Sequence, residues 1–195
     1  AKKRFTVITG VNTLFNGLLN QEAFKTLDFS GLKIAVGGGM AVQKATAEKW
    51  KAVTGVPLAE GYGLTETAPV ATCNPIDGTE RIGTIGMPLP NTEVMIADDQ
   101  GNPVPIGERG EIFIKGPQVM RGYWKRPEET ANVMHGEWFK SGDIGVMDED
   151  GFTKIVDRKK EMILVSGFNV YPNEVEDAIA SCNGVLEVGV IGMPD

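Results

Sequence analysis

Apolar positions along this chain fall into two regimes. Up to about residue 75 they form short runs and helix-spaced sets. Phe5-Thr6-Val7-Ile8 has the pattern of a strand end, Val11 to Leu19 that of a helix, and Leu32-Lys33-Ile34-Ala35-Val36 that of a second strand running into Gly37-Gly38-Gly39. Val42, Ala45, Trp50 and Val53 then recur near helical spacing, and Gly55 supplies a stop. Strand, glycine turn and helix in succession predict a parallel sheet whose ligand crevice lies beyond the strand ends. From about residue 80 the period shortens. Glu93-Val94-Met95-Ile96-Ala97 and Glu111-Ile112-Phe113-Ile114-Lys115 are strand-like, and Asp99–Pro103, Gly107–Gly110 and Asp148–Gly151 are turns.

The pattern changes again after the charged run Asp157-Arg158-Lys159-Lys160. Met162 to Val165 is expected to be a strand, Ser166-Gly167 a glycine loop, and Asn173 to Ala180 a helix entered through Pro172. Val188-Gly189-Val190-Ile191 starts a further strand. A strand cut off at a terminus, together with the absence of Met at position 1, leads to the expectation that the chain is a piece of a longer polypeptide. The fold class is therefore α/β plus β: an α/β part over residues 1–78, a β-barrel-like part over 79–157, and the start of a third unit over 158–195.

Composition narrows the function classes. Hydrophobic residues make up 42% and charged ones 23%, a globular balance. A net charge of −7 and the lack of a basic, aromatic-interleaved stripe argue against nucleic acid as a partner. No apolar run reaches the roughly 18 residues of a membrane span, and the basic opening Ala1–Phe5 is followed by no signal-peptide pattern. Cys73 and Cys182 have no metal-ligand spacing and are expected as reduced thiols in a cytoplasmic protein. His135 is the only histidine, so hydrolase triads and zinc sites have no support.

The chemistry concentrates in three segments. Gly61-Tyr62-Gly63-Leu64-Thr65-Glu66-Thr67 places an aromatic platform, a hydroxyl and a hard carboxylate within seven residues. Ser141-Gly142-Asp143 offers a carboxylate able to accept from two neighbouring hydroxyls, although such a tripeptide alone is most often a turn. Ile155-Val156-Asp157-Arg158 adds a cation. In this order and spacing the three resemble the nucleotide site of the adenylate-forming enzymes: acyl-CoA synthetases, peptide-synthetase adenylation domains and luciferases. The stretch Asp157 to Pro172 most resembles bacterial long-chain-fatty-acid–CoA ligases.

The resemblance implies a large N-terminal domain, holding the α/β sheet piece and a distorted β-barrel, joined by a hinge to a small α+β C-terminal domain. It implies ATP with Mg²⁺, CoA and a fatty acid as the small molecules handled. Gly38 and Gly39 would lie against adenine, where the family's usual Pro is replaced by Ala41. Tyr62 would stack on the base, Thr65 would bond the phosphate or acyl carboxylate, and Glu66 would hold Mg²⁺. Asp143 and Arg158 would reach the ribose, Ile155 would pack near base or sugar unless it is a core residue, and Lys160 would be the hinge. Gly167 would line the pantetheine channel with Phe168 at its edge, while Glu174 and Glu176 suit a helix N-terminus.

The segment Ile8 to Phe15 resembles one wall of the acyl pocket, with Val11 and Phe15 as wall candidates. The family's phosphate-binding loop would precede residue 1 and its C-terminal lysine would follow residue 195, so the piece alone is expected to be inactive. The sequence leaves open an aryl-CoA ligase, a peptide-synthetase adenylation domain or a non-catalytic binding module. It also leaves open the oligomeric state. Fatty acids partition into membranes, which adds peripheral association with the inner leaflet to the expectations.

Overall fold

The computed structural model describes residues 4–180, 182, 184–185 and 188–193; the basic Ala1–Lys3 lies outside them. The first layer is a βαβαβ unit. Strand β1 (Val7–Gly10) leads into helices α1 (Asn12–Leu19) and α2 (Glu22–Lys25). Strand β2 (Ile34–Gly37), helix α3 (Lys44–Thr54) and strand β3 (Leu58–Tyr62) follow. β1, β2 and β3 are parallel neighbours, with Val7 opposite Ile34 and Gly37 opposite Glu60.

Helices α1 and α3 bury Phe15 edge-on against Trp50 at 4.9 Å, with Phe24, Leu19 and Leu32 around them. An aromatic pair in this geometry adds about 1 kcal/mol to the burial of its area. Gly55, in the left-handed region at φ 76°, ends α3 as expected, its N–H bonding the Lys51 carbonyl. Val42 precedes the helix, and Ala45 is exposed rather than on the core face. The buried stripe is Thr46, Ala47, Trp50 and Thr54, because Trp50 sets which side of α3 meets the sheet.

The seam with the second layer lies in β3. Its first residues pair in parallel with β2, but Gly61 and Tyr62 pair antiparallel with β4 (Thr72–Cys73), which in turn pairs with β5 (Met87–Pro88). The second layer is antiparallel: β6 (Glu93–Ala97), β7 (Arg109–Lys115), β9 (Trp138–Met147) and β10 (Thr153–Arg158), in the order β10-β9-β7-β6. A short β8 (Met134–His135) is hairpinned onto β9 after helix α4 (Pro127–Val133). The sheet curls into a half-barrel over Ile85, Ile96, Ile112, Ile114 and Phe139. Bonds from Ile85 N–H to Thr153 O and from Thr153 N–H to Gly86 O stitch the layers together at 2.8 and 3.0 Å.

Beyond the charged run comes a two-stranded hairpin, β11 (Ile163–Val165) with β12 (Phe168–Val170), then helix α5 (Pro172–Ala180). Ser166 and Gly167 form its two-residue turn, both at positive φ (50° and 85°), as a type I′ hairpin requires. The strand expected at Val188–Ile191 does not form. The Val190 N–H is taken instead by the Glu176 carboxylate at 2.7 Å, a side-chain partner in place of a ladder. Among the described residues no helix is long and apolar enough to cross a membrane.

Candidate active site

The parallel register brings the two glycine segments side by side. A Cβ on Gly38 would stand 3.0 Å from the Gly61 carbonyl oxygen, so the loop after β2 lies directly against the end of β3. Gly39 is left-handed at φ 75°, and Val11 Cγ1 lies 3.6 Å from where its Cβ would be. Val11 is thus an exposed neighbour of the loop. Phe15 is fully buried against Trp50 and cannot be a pocket wall; the core claims it. Glu60, next to Gly61, accepts the Val42 N–H at 3.1 Å and so ties the far end of the loop to β3. Burial pushes its carboxyl up to about 7, against the lowering effect of that hydrogen bond.

Tyr62 and Asp143 are 81 residues apart in sequence, yet the Tyr62 Oη donates to Asp143 Oδ2 at 2.5 Å. Asp143 is brought there by β9. Ser141-Gly142-Asp143 is part of that ten-residue strand rather than a free turn, with Gly142 at φ 76° kinking it. Arg158 is opposite Asp143 in the β10–β9 register, its Nε 3.5 Å from Oδ1. A register shift between Ile155 and Asp157 re-aims the end of β10.

Asp143 is only 6% exposed. Burial raises its pKa, while the Tyr62 bond and Arg158 pull the other way. Burial, then the charge and hydrogen bond of Asp143, raise the phenol of Tyr62 well above its ordinary value. Each carboxylate oxygen keeps a lone pair for a further donor. Ile155 packs against the half-barrel core, beside the same cluster as Tyr62.

Thr65 and Glu66 sit on a 3₁₀ turn (Thr65–Thr67) just past β3. Gly63 allows the turn, since its Cβ would fall 1.8 Å from the Pro69 carbonyl oxygen. Thr65 is exposed and Glu66 half-buried. Tyr123 Oη donates to Glu66 Oε1 at 2.7 Å, a bond that pushes the phenol up to about 12. Next to it Trp124 is 86% exposed, with Lys125 Nζ 5.8 Å from its ring centroid.

Gly142, Asp143, Arg158, Lys159 and Lys160 line an open concavity of about 430 Å³. Lys159 bridges Asp99 at 2.8 Å and Glu111 at 2.9 Å, whereas Lys160 is exposed, with the likewise exposed Glu161 carboxylate beside it at 3.9 Å. Gly167 is exposed in its hairpin turn, and no hydrogen bond or ion pair joins it to Asp143 or Glu66 among the described residues. Phe168 is 75% exposed beside it. Glu174, in the first turn of α5, pairs with Arg109 of β7.

The sequence profile of the AMP-binding enzymes matches residues 1–124. The chain belongs to the AMP-binding enzyme family. Among its AMP-binding relatives, the long-chain-fatty-acid–CoA ligase of Yersinia pestis is 60% identical over 98% of this chain and 34% of its own length. The feruloyl-CoA synthase of an Amycolatopsis species is 40% identical over all of this chain and 40% of its own. The crystal structure of ATP-bound MatB from Rhodopseudomonas palustris superposes with a TM-score of 0.90 at 38% identity, covering 98% of this chain and 38% of that one. The chain thus spans about a third of the length of the curated relatives it matches most strongly.

Tyr123, Glu60 and Arg109 were not singled out from the sequence. One signal could have found Tyr123. The chain has three tyrosines, and each meets a charged side chain here: Tyr62 with Asp143, Tyr123 with Glu66, Tyr171 beneath Arg109. Tyr123, a scarce amphipathic residue directly after Gly122, carries the same signal as Tyr62 after Gly61.

Proposed function

We propose that this chain is the nucleotide-binding part of an ATP-dependent long-chain fatty acyl-CoA ligase. The observation that carries the reading is the 60% identity to the Yersinia pestis ligase across 98% of the chain. In the first half-reaction a carboxylate oxygen of the fatty acid attacks the α-phosphorus of ATP. The bond to pyrophosphate breaks and acyl-AMP forms. In the second, the CoA sulfur attacks the acyl carbon, the bond to AMP breaks, and the thiol proton leaves to solvent.

On this reading Gly38 and Gly39 present backbone to the adenine edge and Tyr62 its ring to the base. Asp143 accepts the ribose hydroxyls while Arg158 balances its charge. Ile155 acts from behind, as core support for Tyr62. Thr65 offers its hydroxyl to the α-phosphate or acyl carboxylate. Glu66 is a single hard carboxylate, which fits a Mg²⁺ ion that takes most of its oxygens from phosphate and water. That ion neutralises phosphate charge when bound. Lys160, solvent-exposed in a charged run, is the pivot about which the following unit turns between half-reactions. Gly167 then brings narrow backbone to the pantetheine arm.

The test is ATP–pyrophosphate exchange by the complete polypeptide with palmitate, acetate, benzoate and an amino-acid mixture, followed by CoA consumption. Exchange with palmitate and subsequent loss of free thiol is expected, with the 195-residue piece inactive. Exchange with an aromatic acid instead would favour the aryl-CoA ligase reading, which the 40% identity to feruloyl-CoA synthase keeps in view. No exchange with any acid would leave a binding module.

A further inference from the structure

We propose that Tyr123 is a positioning residue for the Glu66 carboxylate, holding Oε1 so that Oε2 is the oxygen presented to a divalent cation arriving with the nucleotide. The inference rests on the reading of Glu66 given above. The bond itself is 2.7 Å, Tyr123 Oη to Glu66 Oε1, and Oε2 has no hydrogen-bond partner among the described residues.

Both ends of the pair are anchored by backbone. On the Glu66 side, its carbonyl accepts the Met120 N–H at 2.8 Å. Gln118 Nε2 also reaches the Val70 carbonyl at 3.3 Å and Thr92 Oγ1 at 2.8 Å, so the segment before Tyr123 is held at Glu66 itself, at the chain just past its turn and at the residue before β6. On the other side, the Tyr123 N–H donates to Thr130 Oγ1 at 2.9 Å. Its carbonyl accepts the Arg126 N–H at 3.1 Å, which fixes Tyr123 to the first turn of α4. Gly122 permits this approach: at φ 147°, an added Cβ would lie 2.7 Å from Thr130 Cγ2.

Freezing a half-exposed glutamate costs rotamer entropy. A phenol open to water gains little net from a protein partner that water could replace. The pair therefore contributes little to stability, and its effect is orientation. That is what a lone ligating carboxylate needs. No cluster of three or more His, Cys, Asp or Glu able to hold a metal occurs among the described residues. A cation here would depend on one carboxylate plus phosphate and water. Outer partners that orient such ligands typically govern 10–100-fold in affinity.

The experiment uses the complete polypeptide and three forms: unaltered, Tyr123→Phe and Glu66→Gln. Tyr123→Phe keeps the ring and its packing and removes only the hydroxyl. Mn²⁺ binding is measured by electron paramagnetic resonance with a non-hydrolysable ATP analogue present, and affinity for the analogue is measured in EDTA. Tyr123→Phe should weaken Mn²⁺ about tenfold while metal-free analogue affinity stays within about twofold. Excess Mg²⁺ should then restore the exchange rate. Weakening by Glu66→Gln but not by Tyr123→Phe overturns the positioning role alone. Unchanged Mn²⁺ binding in Glu66→Gln overturns the reading of Glu66 beneath it. An exchange defect in Tyr123→Phe that no Mg²⁺ concentration repairs also overturns the inference.

Discussion

Arg109 and Glu174 face each other in a paired contact, Nη1 to Oε2 at 3.1 Å and Nη2 to Oε1 at 2.6 Å, across the charged run that separates the half-barrel from α5. The same guanidinium sits 4.9 Å from the Tyr171 ring centroid. One β7 side chain thereby grips the start of α5 by a carboxylate and an aromatic face at once. Both partners are half-exposed, and such pairs are worth under about 1 kcal/mol. Arg109→Ala should therefore leave the global unfolding midpoint nearly unchanged. It should speed hydrogen exchange in Pro172–Ala180 several-fold. Unchanged exchange there would mean that the Asp157 carboxylate, which accepts the Asn173 N–H at 3.0 Å, holds α5 unaided.

Asp143 and Tyr62 should separate by substitution. Asp143→Asn removes the charge that ribose hydroxyls would bond, and a charge-assisted bond is worth about 1.5–3 kcal/mol, roughly 10–100-fold in nucleotide affinity. Tyr62→Phe keeps the ring face and should cost less than about tenfold. Calorimetric titration of both variants with AMP checks the order. Equal losses would show that the Tyr62 hydroxyl, not the ribose, is the partner that matters to Asp143.

Glu60 links pH to stability. In the folded chain it holds its proton up to about pH 7, whereas the ordinary carboxyl releases it at 4.5. Folding therefore takes up a proton between those values. Its contribution is most favourable below pH 4.5 and is lost as the pH rises through 7. The shift corresponds to roughly 3 kcal/mol. Glu60→Gln can still accept the Val42 N–H and should flatten that slope, gaining on the unaltered chain at pH 8 but not at pH 4. Urea unfolding at the two pH values measures it; parallel pH dependence in both proteins would show that Glu60 ionises normally.

Val11 tests the acyl wall. It is exposed beside Gly39, so Val11→Trp in the complete polypeptide should fold and should shift preference from palmitate toward decanoate in the exchange assay. An unchanged ratio would remove Val11 from the wall.

Where local pattern and tertiary packing agreed, the chain could be read directly. Gly55 ends α3, Pro172 opens α5, and β6 and β7 are the strands that alternation marks. Helix α4 carried no such signal because it buries none of its residues, so selection for a core leaves no apolar stripe on it. Strand β9 was hidden for the opposite reason. Lys140-Ser141-Gly142-Asp143 interrupts its alternation at the segment that serves the candidate site. Individual site residues could be named from motif chemistry, but their pairing could not. Tyr62 with Asp143 and Glu66 with Tyr123 are contacts over 81 and 57 residues, set by how the two sheets pack on each other and by the loop before α4 folding back onto the 3₁₀ turn.

Trp124, extending into solvent one residue past Tyr123, amounts to a built-in optical probe. Trp50 is fully enclosed and Trp138 is half-buried against β7's Lys115, so their emission answers to the cores. Among the three tryptophans of these 195 residues, the red-shifted, quencher-accessible fraction of fluorescence belongs to the loop that carries Tyr123. Events at Glu66 can therefore be followed in real time with no label, and Trp124→Phe supplies the blank.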